Sequence, residues 1–189
     1  MLGQGRRVLG RLGLRAVAAV AGASMLSGCG LLSGPTTLQQ DEPQKMTVTS
    51  PEFGTGVPIP HEYTCFRGGE SPPLSWSGAP AGTKALALVM DDADAPITPY
   101  VYWIVFNISP DTPDIQAGKI PPGALEADNS TGRVGYDPPC PQHSHQYRFT
   151  IYALSAPLPF KNGASLAATW AAIAAHALGR GRLQVTVSP

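Results

Sequence analysis

What this 189-residue chain lacks narrows it first. No apolar run reaches the roughly 20 residues that a membrane-spanning helix needs. The longest early run, about Ala16 to Leu26, is too short to cross a bilayer as a stable helix. There is no internal repeat, which removes solenoids and propellers. No Gly-x-Ser-x-Gly stretch marks a nucleophile elbow, so the usual serine-hydrolase arrangement has no starting point. With three cysteines and four histidines, no closed set of metal ligands suggests itself. Basic residues are also few, 13 against 13 acidic, and four of the 13 are the arginines at positions 6, 7, 11 and 15.

Those four arginines belong to a processing signal. They form a positive start, followed by the Ala-rich run and then "LSGC", residues 26–29. Small residues before a cysteine resemble the lipobox of bacterial lipoproteins, in which the cysteine is lipidated and becomes the new N-terminus. Residues 1–28 are therefore expected to be a lipoprotein signal peptide and Cys29 the lipidation site. The Arg6-Arg7 pair leaves Sec and twin-arginine export both open. Removal of that segment leaves 9 basic and 13 acidic residues, formally −4. No basic patch for nucleic acid survives. Residues 29–45 are polar with Gly and Pro and read as a lipid-anchored flexible tether. Residues 46–189 are long enough for one domain with its own core.

Cysteine parity fits export. Without Cys29, only Cys65 and Cys140 remain, and outside the cytoplasm such a pair is expected to be oxidised.

The domain reads as mostly β with one helix. Strands are predicted over 45–50, 84–92, 100–109, 147–154 and 182–188, separated by Pro- and Gly-rich turns. The run 100–109 is apolar nearly throughout, as for a central strand buried on both faces. Twenty prolines and 21 glycines fit long ordered loops. The helix is predicted from about Ser165 to Leu178, with Ser165 as N-cap and Gly179 or Gly181 as its stop. Leu166, Trp170, Ile173 and Ala177 share one of its faces.

One stretch, "GYDPPCPQHSHQYRFTIYAL", joins a loop that cannot be strand to a segment that can. Pro138, Pro139 and Pro141 remove three ladder donors. Beyond them Tyr147, Phe149, Ile151 and Ala153 alternate with their neighbours. Cys140, His143 and His145 sit between the halves.

Three stretches together resemble the phosphatidylethanolamine-binding protein family. "SPPLSWSGAPAGTKALALVMDDADAP" is similar to its Ser-Pro-x-Leu-x-Trp and Asp-Pro-Asp-Ala-Pro segments, and "YWIVFNI" to its His-Trp-x-Val-x-Asn-Ile strand. The Pro-Cys-Pro stretch resembles its Gly-Tyr-x-Gly-Pro-Cys-Pro-Pro and His-x-Tyr segments, in the form of the bacterial Raf-kinase-inhibitor-like branch. The match runs in order from about Thr47 to Val187. It implies a β-sandwich with a small anion pocket at one end. Position by position, Asp92 and Asp94 match the loop aspartates, and Pro96 the proline that walls the pocket. His145 and Tyr147 match the His-x-Tyr pair, and Pro139 the rim. Tyr102 stands where the family has a histidine, Pro138 where it has glycine, Ala93 where it has proline, and Gln142 where it has proline.

Tyr102 keeps a hydroxyl but loses a potential positive charge, and Pro138 removes a backbone N–H. Both changes weaken an anion site, so a neutral or zwitterionic ligand is expected. Other chemistries compete at the same residues. His143, His145, Asp92 and Asp94 would serve a metal. Cys140 with a histidine would serve as a nucleophile unless disulfide-bonded. A purely structural arrangement has Asp92 capping its loop and His145 pinning it. The expectation is a non-enzymatic, exported binding protein, anchored through Cys29 on the extracytoplasmic side of the cell membrane. It needs no cofactor, metal or nucleic acid, and its pocket takes a lipid headgroup or another small polar molecule. The alternative is a docking or inhibitor module for an envelope or extracellular protein such as a protease.

Overall fold

The computed structural model describes residues 44–95 and 99–189. Cys29, the rest of the signal and tether up to residue 43, and Pro96 lie outside the described residues.

Nine strands form two sheets. The larger contains β1 (Gln44–Lys45), β4 (Ala85–Asp92), β5 (Val101–Ile108), β7 (Leu125–Glu126), β8 (His145–Leu154) and β9 (Ala177–Val187), in the order β1-β9-β8-β4-β5-β7. The smaller contains β2 (Thr47–Thr49), β3 (Leu74–Ser77) and β6 (Asp114–Ile115), in the order β2-β3-β6. All pairings between strands are antiparallel except β1 with β9.

Strand β4 shows why the large sheet needs cover on both sides. All eight of its residues are buried. Leu86, Leu88 and Met90 face the small sheet, in a core shared with Trp76, Trp103, Phe149 and Val185. Ala85, Ala87 and Val89 face the other way, toward Ile104, Phe106 and Ile173. Continuous apolar sequence thus becomes two apolar faces, because side chains alternate across a strand. The second face is covered by the helix α1 (Leu166–His176), where Ile173 is buried and Leu166 and Trp170 pack alongside. Ser165 caps it as expected, its hydroxyl accepting from the Ala168 N–H at 3.4 Å.

The end of α1 differs from the sequence expectation. No glycine stops it. Ala177 turns extended and begins β9 directly, so Gly179 and Gly181 lie inside a strand. Gly181 has another reason to be glycine. A Cβ there would stand 2.5 Å from the Met46 carbonyl oxygen, where the incoming chain crosses β9. Gln44 and Lys45, assigned to the tether by composition, pair with Gly179 and Arg180.

Cys65 and Cys140 form a disulfide across 75 positions, with Cα atoms 5.3 Å apart. Closing a loop of that length stabilises the fold by about 4 kcal/mol on the chain-entropy account.

Candidate functional site

The site lies where β4 and β8 end together. Asp92 is opposite Tyr147 in the ladder, and Asp91 is opposite Arg148. Alternation sends the neighbouring aspartates to opposite faces. Asp91 pairs with Arg148 on the helix side. Asp92 points to the sandwich side, where His145 Nδ1 lies 2.8 Å from its Oδ2. The carboxylate is 6% exposed and the imidazole 34%, so the pair has a buried end and an open end. With Nδ1–H donating to Asp92, the tautomer is set and Nε2 has no protein partner among the described residues. Neutral His145 offers Nε2 as an acceptor, and protonated His145 offers it as a donor.

Asp92 also orders its own loop. Its Oδ1 accepts from the Asp94 N–H at 2.8 Å, and Ala93 N–H donates to the Gln146 carbonyl. Asp94 is exposed and turns its Oδ2 to the Gln146 N–H at 2.8 Å. It ties the β4 end to β8 and leaves Asp92 as the carboxylate on the imidazole. His143 is exposed in the turn before β8.

Tyrosines build the rest. The registers Met90 with Trp103 and Asp91 with Val101 leave Tyr102 as an extra residue in β5. Such a bulge breaks alternation, so Tyr102 and Trp103 both lean on the core between the sheets. Tyr102 meets Tyr147 edge to face at 5.3 Å between ring centroids, and Tyr100 at 4.6 Å. Burial holds the Tyr147 hydroxyl far above its ordinary pKa, helped by Tyr102 and Asp92. Tyr102 is raised mainly by burial, eased by its contact with Tyr147. Both phenols stay neutral donors at any physiological pH.

The Pro-Cys-Pro loop closes the arrangement. Pro139 is buried and its carbonyl accepts from the Cys65 N–H at 3.2 Å, beside the disulfide. Asp137 N–H donates to the Tyr102 carbonyl, and Tyr136 hydroxyl donates to the Tyr63 carbonyl at 2.6 Å. Asp92, His145, Tyr102 and Tyr147 are thus brought together, with the Pro139 loop held beside Tyr102. Tyr100, Tyr136 and Asp137 were not singled out from sequence. Arg133 pairs with Asp137, and Tyr100 reaches the same carboxylate at 3.5 Å. The tyrosine spacing 100, 102 and the "GYD" before the prolines were the available signals.

Comparison with known proteins agrees with this architecture. The family model for phosphatidylethanolamine-binding protein matches residues 49–188. A UPF0098 protein of Methanothermobacter thermautotrophicus is 39% identical over 144 residues, spanning 73% of this chain and 95% of its own. LppC of Mycobacterium tuberculosis, a candidate lipoprotein by its name, is 43% identical over 143 residues, 74% of this chain and 71% of its own. Among solved structures, the homologue CT736 of Chlamydia trachomatis superposes with a TM-score of 0.71 at 34% identity, covering 77% of this chain and 99% of that one. YbcL of E. coli gives 0.71 at 28% identity, covering 76% and 98%. With a β-sandwich, one helix and a family match across nearly all the described residues, the chain belongs to the phosphatidylethanolamine-binding protein family.

Proposed function

We propose that this protein is an exported, membrane-anchored binding protein whose Asp92–His145 pocket takes a lipid headgroup or another small polar ligand without chemical turnover. The observation that carries the reading is the pair itself: a buried carboxylate fixes the imidazole, and Nε2 is left without a protein partner among the described residues. Neutral phenols at Tyr102 and Tyr147 add hydroxyl chemistry without charge. A ligand carrying both a donor and a negative oxygen suits this set better than a bare phosphate does. The rim is ordered before any ligand arrives, because the disulfide and the prolines restrict it, so less ordering cost falls on binding.

Anchoring rests on the "LSGC" stretch and on the lipoprotein name of the LppC relative. No helix among the described residues is long and apolar enough to cross a membrane. Lipid on Cys29 would display the domain on the extracytoplasmic side.

Two measurements test the two halves. Labelling of cells with a palmitate analogue should mark the wild-type chain and not Cys29→Ala; equal labelling removes the anchor. In an NMR titration, phosphoethanolamine should shift the His145 ring signals saturably and more tightly than inorganic phosphate. No saturable shift from either removes the pocket.

A further inference from the structure

The described chain enters the domain at one corner of the large sheet. There β1 pairs with Gly179 and Arg180 of β9, and Met46 N–H donates to the Arg180 carbonyl at 2.8 Å. A cavity of about 330 Å³ opens at this corner, with Lys45, Met46, Arg180 and Arg182 in its lining. The charged residues of that lining are all cations, and all of them are exposed. None is in an ion pair among the described residues. Arg182 is steadied by its Nε–H, which donates to the Thr150 hydroxyl at 3.1 Å.

An apolar groove of about 240 Å³ adjoins it and shares Arg180. Tyr152, Trp170, Ile173, Ala174 and Ala177 make up the rest of its wall. It lies between α1 and the paired strands β8 and β9, where Tyr152 stands opposite Arg180. The helix beside it carries no Asp, Glu, Lys or Arg, and its exposed positions 167, 168, 171, 174 and 175 are all alanine. A helix on a protein surface ordinarily turns charged residues to water. Here an uncharged helix face and a half-buried tryptophan border a set of unpaired cations, and neither cavity has an acid in its lining. Tryptophan at the headgroup level with Lys and Arg on phosphates is how proteins meet a lipid surface. The position of the anchor agrees. Fourteen residues separate Cys29 from Gln44, and a stretch of that length reaches at most about 50 Å. Lipid on Cys29 thus keeps this corner, where the chain enters, close to the bilayer.

We propose that this corner, the Lys45–Arg180–Arg182 cavity with the Trp170 groove beside it, docks on an anionic phospholipid surface, that of the membrane holding Cys29; the inference rests on the anchoring reading above. The guanidinium groups and Lys45 donate to lipid phosphates. Trp170 and the alanines of α1 enter the headgroup layer. Asp41 and Glu42, just before β1 in sequence and outside the described residues, offset two of the three cations, so the apolar groove carries part of the contact. Docking here also orients the other site. His145 lies seven residues along β8 from Tyr152, about 23 Å of strand, with Asp92 at the same far end. The Asp92–His145 pocket is thereby turned away from the bilayer, toward ligands in solution.

The test uses the chain extracted from its host membrane and reconstituted in vesicles of equal parts phosphatidylcholine and phosphatidylglycerol, brominated near the top of the acyl chains. Bromine quenches tryptophan fluorescence at contact. Trp76 and Trp103 are 7% and 1% exposed, which leaves Trp170 as the tryptophan that lipid can reach. The wild-type chain should be quenched and Trp170→Phe should not. Arg180→Gln with Arg182→Gln should cut the quenching by about half or more, and vesicles of phosphatidylcholine alone should do the same. Lys45→Gln, at an exposed position of a two-residue strand, gives a second variant with a smaller loss. Flotation with the vesicles, lost in Cys29→Ala, reads the anchor separately. A wild-type chain that floats without Trp170 quenching overturns the docking and leaves the anchor standing, as does quenching that is equal in the charge variants and in phosphatidylcholine alone. A wild-type chain that does not float removes the anchor and the docking together.

Discussion

At the scale of residues, the site is an arrangement of charge and hydroxyls whose balance one position sets. Tyr102 brings a phenol to the place beside Asp92 where the family resemblance implies an imidazole. Tyr102→His should therefore strengthen phosphate or phosphoethanolamine binding by about 1–2 kcal/mol if a charge-assisted hydrogen bond is regained. NMR titration of the two forms checks this; no gain would move attention to the backbone donor lost at Pro138. The buried phenols also predict an alkaline limit. Burial raises the Tyr136 and Tyr147 hydroxyls well above the ordinary tyrosine range. The folded state holds those protons more tightly than the unfolded chain does. Their contribution is fully present below pH 10 and declines as pH rises above it. Absorbance at 295 nm should show part of the tyrosine titrating only together with loss of near-ultraviolet circular dichroism. A smooth titration of all six tyrosines near pH 10 in a folded protein would contradict the burial.

At the scale of elements, what was legible depended on length. Strands β4, β5 and β8 were readable because 8 to 10 residues of apolar run or alternation outweigh their flanks. The four residues of β3 were hidden between Pro72-Pro73 and Gly78, which read as turn. Two-residue strands such as β6 and β7 have no periodicity to detect and exist because longer strands offer them an edge. The bulge at Tyr102 was equally invisible, since alternation alone would set Tyr102 and Trp103 on opposite faces. Asp92 and His145 were recognised through motif position, while their contact depends on the pairing of β4 with β8. The helix stop was misread because glycine serves two purposes. Gly179 and Gly181 follow the helix, but Gly181 is there for the close crossing of Met46. Gly181→Ala should destabilise the domain by about 1–3 kcal/mol through overpacking against backbone. Chemical denaturation measures it, and a change within error would mean that the crossing yields freely.

At the scale of the whole molecule, one covalent link holds two loops distant in sequence together. The Cys65–Cys140 bridge ties the Pro139 loop, whose Asp137 N–H meets the Tyr102 carbonyl, to the segment around Cys65. Cys65→Ser with Cys140→Ser should lower unfolding free energy by up to about 4 kcal/mol, less where the unfolded chain keeps structure. Denaturation of the full chain with and without the two substitutions reads this directly. The central claim is that the Asp92–His145 pocket holds a small ligand in the cell. Native mass spectrometry of the protein extracted gently from its own host tests it most directly, beside an Asp92→Asn form prepared in the same way. The account predicts a discrete small-molecule adduct on the wild-type chain that is lost in Asp92→Asn while the protein stays folded. A bare wild-type protein, or an adduct that survives the substitution, would contradict it.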